Sequence, residues 1–446
     1  MPIPSLELGK TLKGSVLIKA TTLGSGGASG GADESRQAAR PTGFSAGGRS
    51  AMGAFHPFVR LERLLRGREP GAHGVAGVEG PLLLQVGDPK APPPAMLAET
   101  IAANSAGWGG YPPPRGTPDY KKAAADWALR RFGLPAGFLD PEANILPVPG
   151  TREGLFFAIT TAIPGPGESD KRKVLIPSPF FHVYAGASVA ASGEPLFLPA
   201  GPETGFLPDY AALPRKVLDE VAVAILCSPS NPQGAVASRE QIAGLIALAR
   251  HHGFLAIFDE CYSELYFDGP PPGALELAAE SGSLDNVMVF HSLSKRSSAP
   301  GLRCGFMAGD AGWIDRFDGA LRFGGAGVPV PVQAAGAALW RDEAHVAANR
   351  AFYARNFEIA ERVLGNRFGF RRPAGGFFLW LDVGDGEAAA IKLWEEAGIR
   401  VLPGAYMCVA DAEGNNPGQP YIRVALVHNA AYVEASLEKL VACLAA

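Results

Sequence analysis

The stretch Val289–Gly305, VFHSLSKRSSAPGLRCG, decides how this chain is read. Val289-Phe290 closes an apolar run of strand character. His291-Ser292-Leu293-Ser294-Lys295-Arg296 then gathers hydroxyl and basic side chains, and Ala299-Pro300-Gly301-Leu302-Arg303 returns the chain to a second apolar run from Gly305. In an open α/β sheet the carboxyl ends of strands are where loops and helix N-termini converge, so chemistry-bearing side chains collect there. On spacing alone, a solvated basic turn between two strands is the plain alternative.

Two further strand ends carry polar groups of the same kind. Ala256-Ile257-Phe258-Asp259-Glu260-Cys261-Tyr262 puts a carboxylate pair directly after an apolar run. Asp259 in such a place costs free energy unless a cation or several donors meet it. Ser228-Pro229-Ser230-Asn231-Pro232-Gln233-Gly234 follows the apolar run Val221 to Leu226, and its prolines hold Asn231 in a turn where its amide can be presented at low reorganisation cost. A tight turn is the plain alternative.

Outward from these ends the chain alternates short buried strands and helices. The strand candidates are Val174 to Ile176, Pro195 to Leu198, Val221 to Leu226, Phe254 to Phe258, Val287 to Phe290 and Gly305 to Ala308, several of them continuous apolar runs of the kind covered on both faces. Asp119 to Phe132 has a helical stripe ending before Gly133. Ser238 and Gln241 have capping-box spacing at the head of a helix that closes at Gly253. A helical region from Asp342 to Leu364 leads into strands at Phe377 to Asp382, Arg400 to Leu402 and Tyr421 to Leu426, with helices Ala388 to Gly398 and Val433 to Leu444. The fold class predicted is α/β, a mostly parallel central sheet in a large domain with a smaller α/β domain. The expected division is 1–51 a disordered extension, 52–89 an N-terminal arm of the small domain, 90–325 the large domain and 326–446 the small one.

Composition narrows the function classes. The chain has 446 residues, 47% of them hydrophobic, which is too apolar for a disordered protein. Lys+Arg number 40 against 44 Asp+Glu, with no basic surplus to suggest nucleic acid. Five scattered cysteines offer neither a disulfide framework nor paired metal ligands, so no metal is expected and a reducing, cytoplasmic setting fits. No apolar stretch long enough for a membrane span and no signal peptide is read. Residues 21–50, rich in Gly, Ser and Ala, have too few large side chains to repay the entropy of ordering. Gly9-Lys10-Thr11 lacks the earlier glycine of a phosphate-binding loop, because Pro4 stands there, and Gly24-Ser25-Gly26 does not complete a dinucleotide motif.

Taken together, the three strand ends resemble the fold-type I, class I/II aminotransferases that use pyridoxal 5'-phosphate, over essentially Met52 to Ala446. The resemblance implies that Lys295, in S-x-S-K, bonds the cofactor covalently and acts as general base. It implies that Asp259 pairs with the pyridine nitrogen, and that Tyr262 and Asn231 donate to the ring 3-oxygen. Ser292, Ser294 and Arg303 are the implied phosphate ligands, together with Thr151 and Arg152, chiefly through backbone N–H groups at a helix N-terminus. Phe181, in Pro179-Phe180-Phe181, takes the place of the aromatic ring laid over the cofactor; the neighbouring His182 is read as structural. Tyr111, in Tyr111-Pro112-Pro113-Pro114-Arg115-Gly116, resembles a residue reaching the neighbouring subunit's cofactor, which implies a homodimer with shared sites. Gly87, in Gly87-Asp88-Pro89, lines the substrate side, and Arg423, alone in the apolar run Tyr421 to Leu426, corresponds to the arginine that binds the substrate α-carboxylate.

The flanking segments, His291 to Asp310, Val401 to Tyr406 and Asn416 to Val427, narrow the likeness to proteobacterial N-succinyldiaminopimelate aminotransferases of lysine biosynthesis. The substrates this implies are N-succinyl-LL-2,6-diaminopimelate and 2-oxoglutarate. Lys90 and the loop Arg296 to Ser298 are the candidates for a remote carboxylate. The alternatives are an aminotransferase for aspartate, alanine, aromatic amino acids or unsuccinylated diaminopimelate, then a β-lyase or a non-catalytic regulator domain of the same fold. The regulator reading lacks any helix-turn-helix segment before Met52.

Overall fold

The computed structural model describes residues 56–165, 167–325 and 327–445. The readings made above for residues 1–51, including the two rejected motifs, and for Met52 lie outside them. Twelve strands are present among the described residues: β1 Leu82–Leu83, β2 Ile145–Val148, β3 Lys173–Ser178, β4 Glu194–Pro199, β5 Val221–Cys227, β6 Leu255–Asp259, β7 Val287–Ser292, β8 Gly305–Gly309, β9 Phe378–Asp382, β10 Ile399–Arg400, β11 Leu402–Pro403 and β12 Tyr421–Ala425.

Seven of them form the central sheet in the order β2-β8-β7-β6-β5-β3-β4. β4, β3, β5, β6 and β7 run parallel, while β8 is antiparallel to both β7 and β2. The antiparallel β8 therefore starts at the edge where β7 ends, which brings Arg303 to the same edge as Lys295. All seven residues of β5 are buried, as a sheet covered on both faces requires. β2, absent from the strands read in the sequence, is an edge strand containing Pro147; a proline costs no ladder hydrogen bond there.

Helices on the two faces grow from local signals. Ser238 and Gln241 make both bonds of the capping box ahead of Arg239–His252, and Gly253 closes that helix in the left-handed region at φ 65°. Thr117 caps Pro118–Phe132, which ends at Gly133 with φ 61°. One face of the sheet packs Tyr120, Trp127 and Trp340, with the two indoles 4.8 Å apart. The other packs Leu155, Ile159, Tyr184 and Phe317.

The remaining strands make a three-stranded antiparallel sheet, β11-β12-β9, and a parallel pair, β1-β10. The run from Arg400 to Leu402, read as one strand, is two pieces serving different sheets. Val401 is buried between them, and the chain changes partners there. Helices Ala344–Leu364, Gly386–Ala397 and Ala430–Ala445 cover these sheets around Leu379, Leu393, Val424 and Leu437.

Candidate active site

The carboxyl ends of β2, β3, β5, β6 and β7 open onto one cavity of about 470 Å³. Its walls include Thr151, Arg152, Phe181, Asn231, Asp259, Tyr262, Ser292, Ser294, Lys295, Arg303, Gly87 and Arg423; of the residues the resemblance implied for cofactor and α-carboxylate, Tyr111 alone is elsewhere. Tyr111 is fully exposed and makes no contact with the cavity within its own chain.

Lys295 stands one turn beyond β7. Its Nζ donates to the Gly87 carbonyl at 2.5 Å and lies 5.2 Å from the Phe377 ring centre. Enclosure pushes its pKa from 10.5 down to about 8, because removal from water disfavours the ammonium. Gly87 must be glycine: a Cβ there would lie 2.3 Å from Cζ of Phe378. Asp259, at the end of β6, is buried. Its Oδ2 accepts from the Tyr184 hydroxyl at 2.5 Å and its Oδ1 from the Cys261 N–H at 3.3 Å. Burial raises its pKa, and the Cys261 thiol, the Tyr184 hydroxyl and the Cys261 N–H oppose the rise.

Arg423 is buried on β12 and donates from Nη1 to Asn231 Oδ1 at 3.2 Å and from Nη2 to the Gln85 carbonyl at 2.8 Å. Its Nε finds no protein acceptor, and desolvation lowers its pKa to about 10. Tyr262 is buried edge-on to Phe377, with ring centres 5.4 Å apart, and burial lifts its hydroxyl well above the ordinary tyrosine value.

At the other end of the cavity, helix Thr151–Ala162 begins beside Ser292, Ser294 and Arg303. Ser292 Oγ donates to Ser294 Oγ at 3.0 Å and accepts from the Ser294 N–H at 3.1 Å. Arg303 takes a left-handed backbone, φ 53°, and its guanidinium reaches the Pro149 and Pro300 carbonyls and Glu153 Oε2, the last at 2.6 Å. Gly150 makes room for it, since a Cβ would sit 2.1 Å from Nη2. Thr151 Oγ1 lies 3.0 Å from Cys261 Sγ, joining this end to the Asp259 loop.

The structure corrects two readings. Arg296 is buried between Trp127 and Trp340 and donates to the Leu339 carbonyl and Glu343; Ser298 donates to the Ala91 carbonyl. The chain turns away from the cavity after Lys295, so this loop does not face a substrate. Lys90 is exposed and paired with Asp88 at 2.7 Å, outside the cavity wall. His182 does line the cavity, where burial together with nearby His56, Arg152 and Arg423 pushes its pKa down to about 3; it does not change charge near neutral pH. Tyr184 was missed by sequence reading. Its signal is its place three residues after Phe181, one turn along helix His182–Ala190.

Residues 79–440 match the family model for aminotransferase class I and II, and the chain belongs to that family. It is 34% identical over 400 residues to an LL-diaminopimelate aminotransferase of Desulforudis audaxviator, covering 87% of this chain and 95% of that one. It is also 34% identical over 366 residues to 4-dedimethylamino-4-oxo-anhydrotetracycline transaminase OxyQ of Streptomyces rimosus, covering 81% and 93%. Among solved structures, an aminotransferase from Neisseria meningitidis Z2491 superposes with a TM-score of 0.80 at 36% identity, covering 87% of this chain and 97% of that one. The likeness to N-succinyldiaminopimelate aminotransferases in particular is thus not singled out by these relatives.

Aminotransferases of this family use pyridoxal phosphate, with amino acids and keto acids as substrates. The cavity suits that cofactor: an anion-binding end where a helix N-terminus, two serines and an arginine meet, a buried carboxylate, and a lysine of lowered pKa between them. Among the described residues no helix is long and apolar enough to cross a membrane, and no cluster of His, Cys, Asp and Glu is arranged to hold a metal.

Proposed function

We propose that this aminotransferase exchanges an amino group between N-succinyl-LL-2,6-diaminopimelate and 2-oxoglutarate. The observation that carries the substrate reading is Arg152. Its side chain lies exposed on the cavity wall, and no carboxylate among the described residues pairs with it. The cavity's own carboxylates are engaged: Asp88 with Lys90, Glu153 with Arg303, and Asp259 with Tyr184. A donor whose remote end carries carboxylate and no ammonium matches an unpaired guanidinium beside occupied acids. A second reading, unsuccinylated LL-diaminopimelate, is favoured by the name of the Desulforudis relative, but its remote ammonium requires an anion that these pairings leave unsupplied.

When bound, pyridoxal phosphate supplies an electron sink for the bonds at the substrate α-carbon. In this reading Lys295 anchors it and, once its amine is released, moves the α-proton; a pKa near 8 suits a base working close to neutrality. Asp259 holds a proton on the ring nitrogen. Tyr262 and Asn231 face the ring oxygen, and Phe181 offers its ring face. Ser292, Ser294, Arg303 and the N–H groups of Thr151 and Arg152 hold the phosphate. Arg423 binds the α-carboxylate of either substrate, leaving the Arg152 side chain for the second carboxylate of 2-oxoglutarate or the remote one of the donor. Tyr111, fully exposed here, completes the site of a second copy in a homodimer.

The deciding experiment is a comparison of kcat/KM for N-succinyl-LL-diaminopimelate, LL-diaminopimelate, aspartate and alanine with 2-oxoglutarate as acceptor. The succinylated donor is expected to lead by at least about tenfold, a difference of roughly 1.4 kcal/mol at the transition state. Equal or better efficiency with a small amino acid overturns the substrate reading.

A further inference from the structure

We propose that Tyr184 is a positioning residue for Asp259: its buried hydroxyl keeps the carboxylate ionised and turned so that an oxygen lone pair still faces the cavity, where the ring nitrogen of the cofactor is received. Tyr184 and Asp259 are 1% and 5% exposed, and the hydroxyl lies 2.5 Å from Oδ2. That is the length of the strong, charge-assisted class of O–H···O bond. Among the described residues no lysine or arginine forms an ion pair with Asp259. A buried carboxylate without a cation keeps its charge only through hydrogen bonds, and here the donors are the Cys261 thiol, the Tyr184 hydroxyl and the Cys261 backbone N–H. Tyr184 takes Oδ2 and the Cys261 N–H takes Oδ1; an ionised carboxylate offers about four acceptor sites, so three donors leave capacity toward the cavity.

The donor is dependable because burial, first of all, and the charge of Asp259 hold Tyr184 well above the ordinary tyrosine range. It remains an O–H at every working pH. The other titratable groups that act on Asp259 or feel its charge are Cys227 across the β5–β6 pairing, Cys261, Tyr262 and, from β7, His291. Burial pushes both thiols and the Tyr262 hydroxyl up, so they stay neutral. The arrangement is delivered by one helix turn. Phe181 caps helix His182–Ala190 and Tyr184 follows three residues later, with the two rings edge to face at 5.6 Å and 88°. The ring offered to the cofactor's face and the hydroxyl that sets the acid at its ring nitrogen therefore move as one unit.

The test uses the holoenzyme and its cofactor-free form with Tyr184→Phe, Asp259→Asn and the double variant. Two readouts besides turnover are followed: the dissociation constant for pyridoxal phosphate, and the pH midpoint of the bound cofactor's visible absorption band. A proton held on the ring nitrogen draws charge from the ring, so loosening it raises that midpoint. Tyr184→Phe is expected to weaken cofactor binding about tenfold and to move the midpoint upward by several tenths of a pH unit, with KM for the amino donor little changed. In the Asp259→Asn background the same substitution is expected to change neither readout, since its effect runs through the carboxylate. An unshifted band in Tyr184→Phe, or a shift of equal size in both backgrounds, overturns the proposal; so does a fall in thermal stability alone.

Discussion

Arg423 Nη1 lies 3.2 Å from Asn231 Oδ1, joining the three-stranded sheet to the turn after β5. The bond uses the carbonyl side of the Asn231 amide, which leaves its NH₂ for a cavity ligand. The Gln85 carbonyl takes a second Arg423 donor while Nε stays without an acceptor. A buried guanidinium with spare donors is costly unless an anion completes it.

Arg423→Ala is therefore expected to lower kcat/KM for every carboxylate-bearing donor by on the order of 10² to 10³. Truncating one partner of a buried, hydrogen-bonded charge pair costs about 2–5 kcal/mol. Steady-state kinetics with long and short donors check this; a loss confined to one donor contradicts it.

Arg152→Ala is expected to act more narrowly. Efficiency with the succinylated donor should fall about tenfold or more, with alanine unaffected within about twofold. The ratio of the two kcat/KM values is the measurement, and a parallel fall for both donors would assign the Arg152 side chain to the cofactor.

Borohydride reduction of the holoenzyme followed by peptide mass mapping should place the cofactor on Lys295. Lys295→Ala is expected to abolish that adduct and to lower turnover by on the order of 10³, within the usual range for loss of a general base. An adduct on another lysine refutes the assignment.

Lys295 also sets a pH dependence. With its pKa at about 8, the nucleophilic neutral amine of the cofactor-free enzyme grows as pH rises toward 8 and levels off above it. The rate of covalent cofactor attachment should follow that curve, dropping roughly tenfold per pH unit below the midpoint. The sign of the stability effect follows from proton counts. Between pH 8 and the ordinary lysine value of 10.5 the unfolded chain binds more protons, so the penalty this group places on the cofactor-free fold is relieved as pH rises through that window.

Mixing inactive Lys295→Ala chains with chains carrying an impairing Tyr111 substitution is expected to regain activity, because a heterodimer then holds one site with both groups intact. Activity of the mixture and sedimentation under assay conditions are the measurements. A fully active monomer refutes site sharing.

Strand ends were legible because their signals are local. A continuous apolar run followed by Asp259, by Ser292 to Lys295 or by Asn231 between prolines declares a covered strand and a polar terminus, whatever the rest of the chain does. The capping box at Ser238 and the stop at Gly253 are equally local. β2 escaped because four residues with a central proline resemble a loop until β8 pairs with them. The run from Arg400 to Leu402 misled because only its partners, Leu82–Leu83 on one side and β12 on the other, divide it.

The sequence by itself determined the α/β alternation and, through short motifs that resemble a family, the polar residues at the strand ends, since each such signal is set by neighbours within a few positions. Which way a side chain faces was decided by the tertiary structure. Lys295 and Arg296 are adjacent, yet one enters the cavity and the other is clamped between Trp127 and Trp340, because both sit on the short helix Leu293–Arg296, where successive side chains point about 100° apart. Tyr184 met Asp259, 75 positions away, only when β6 and helix His182–Ala190 packed together, and a bond between distant residues has no local sequence signal to announce it.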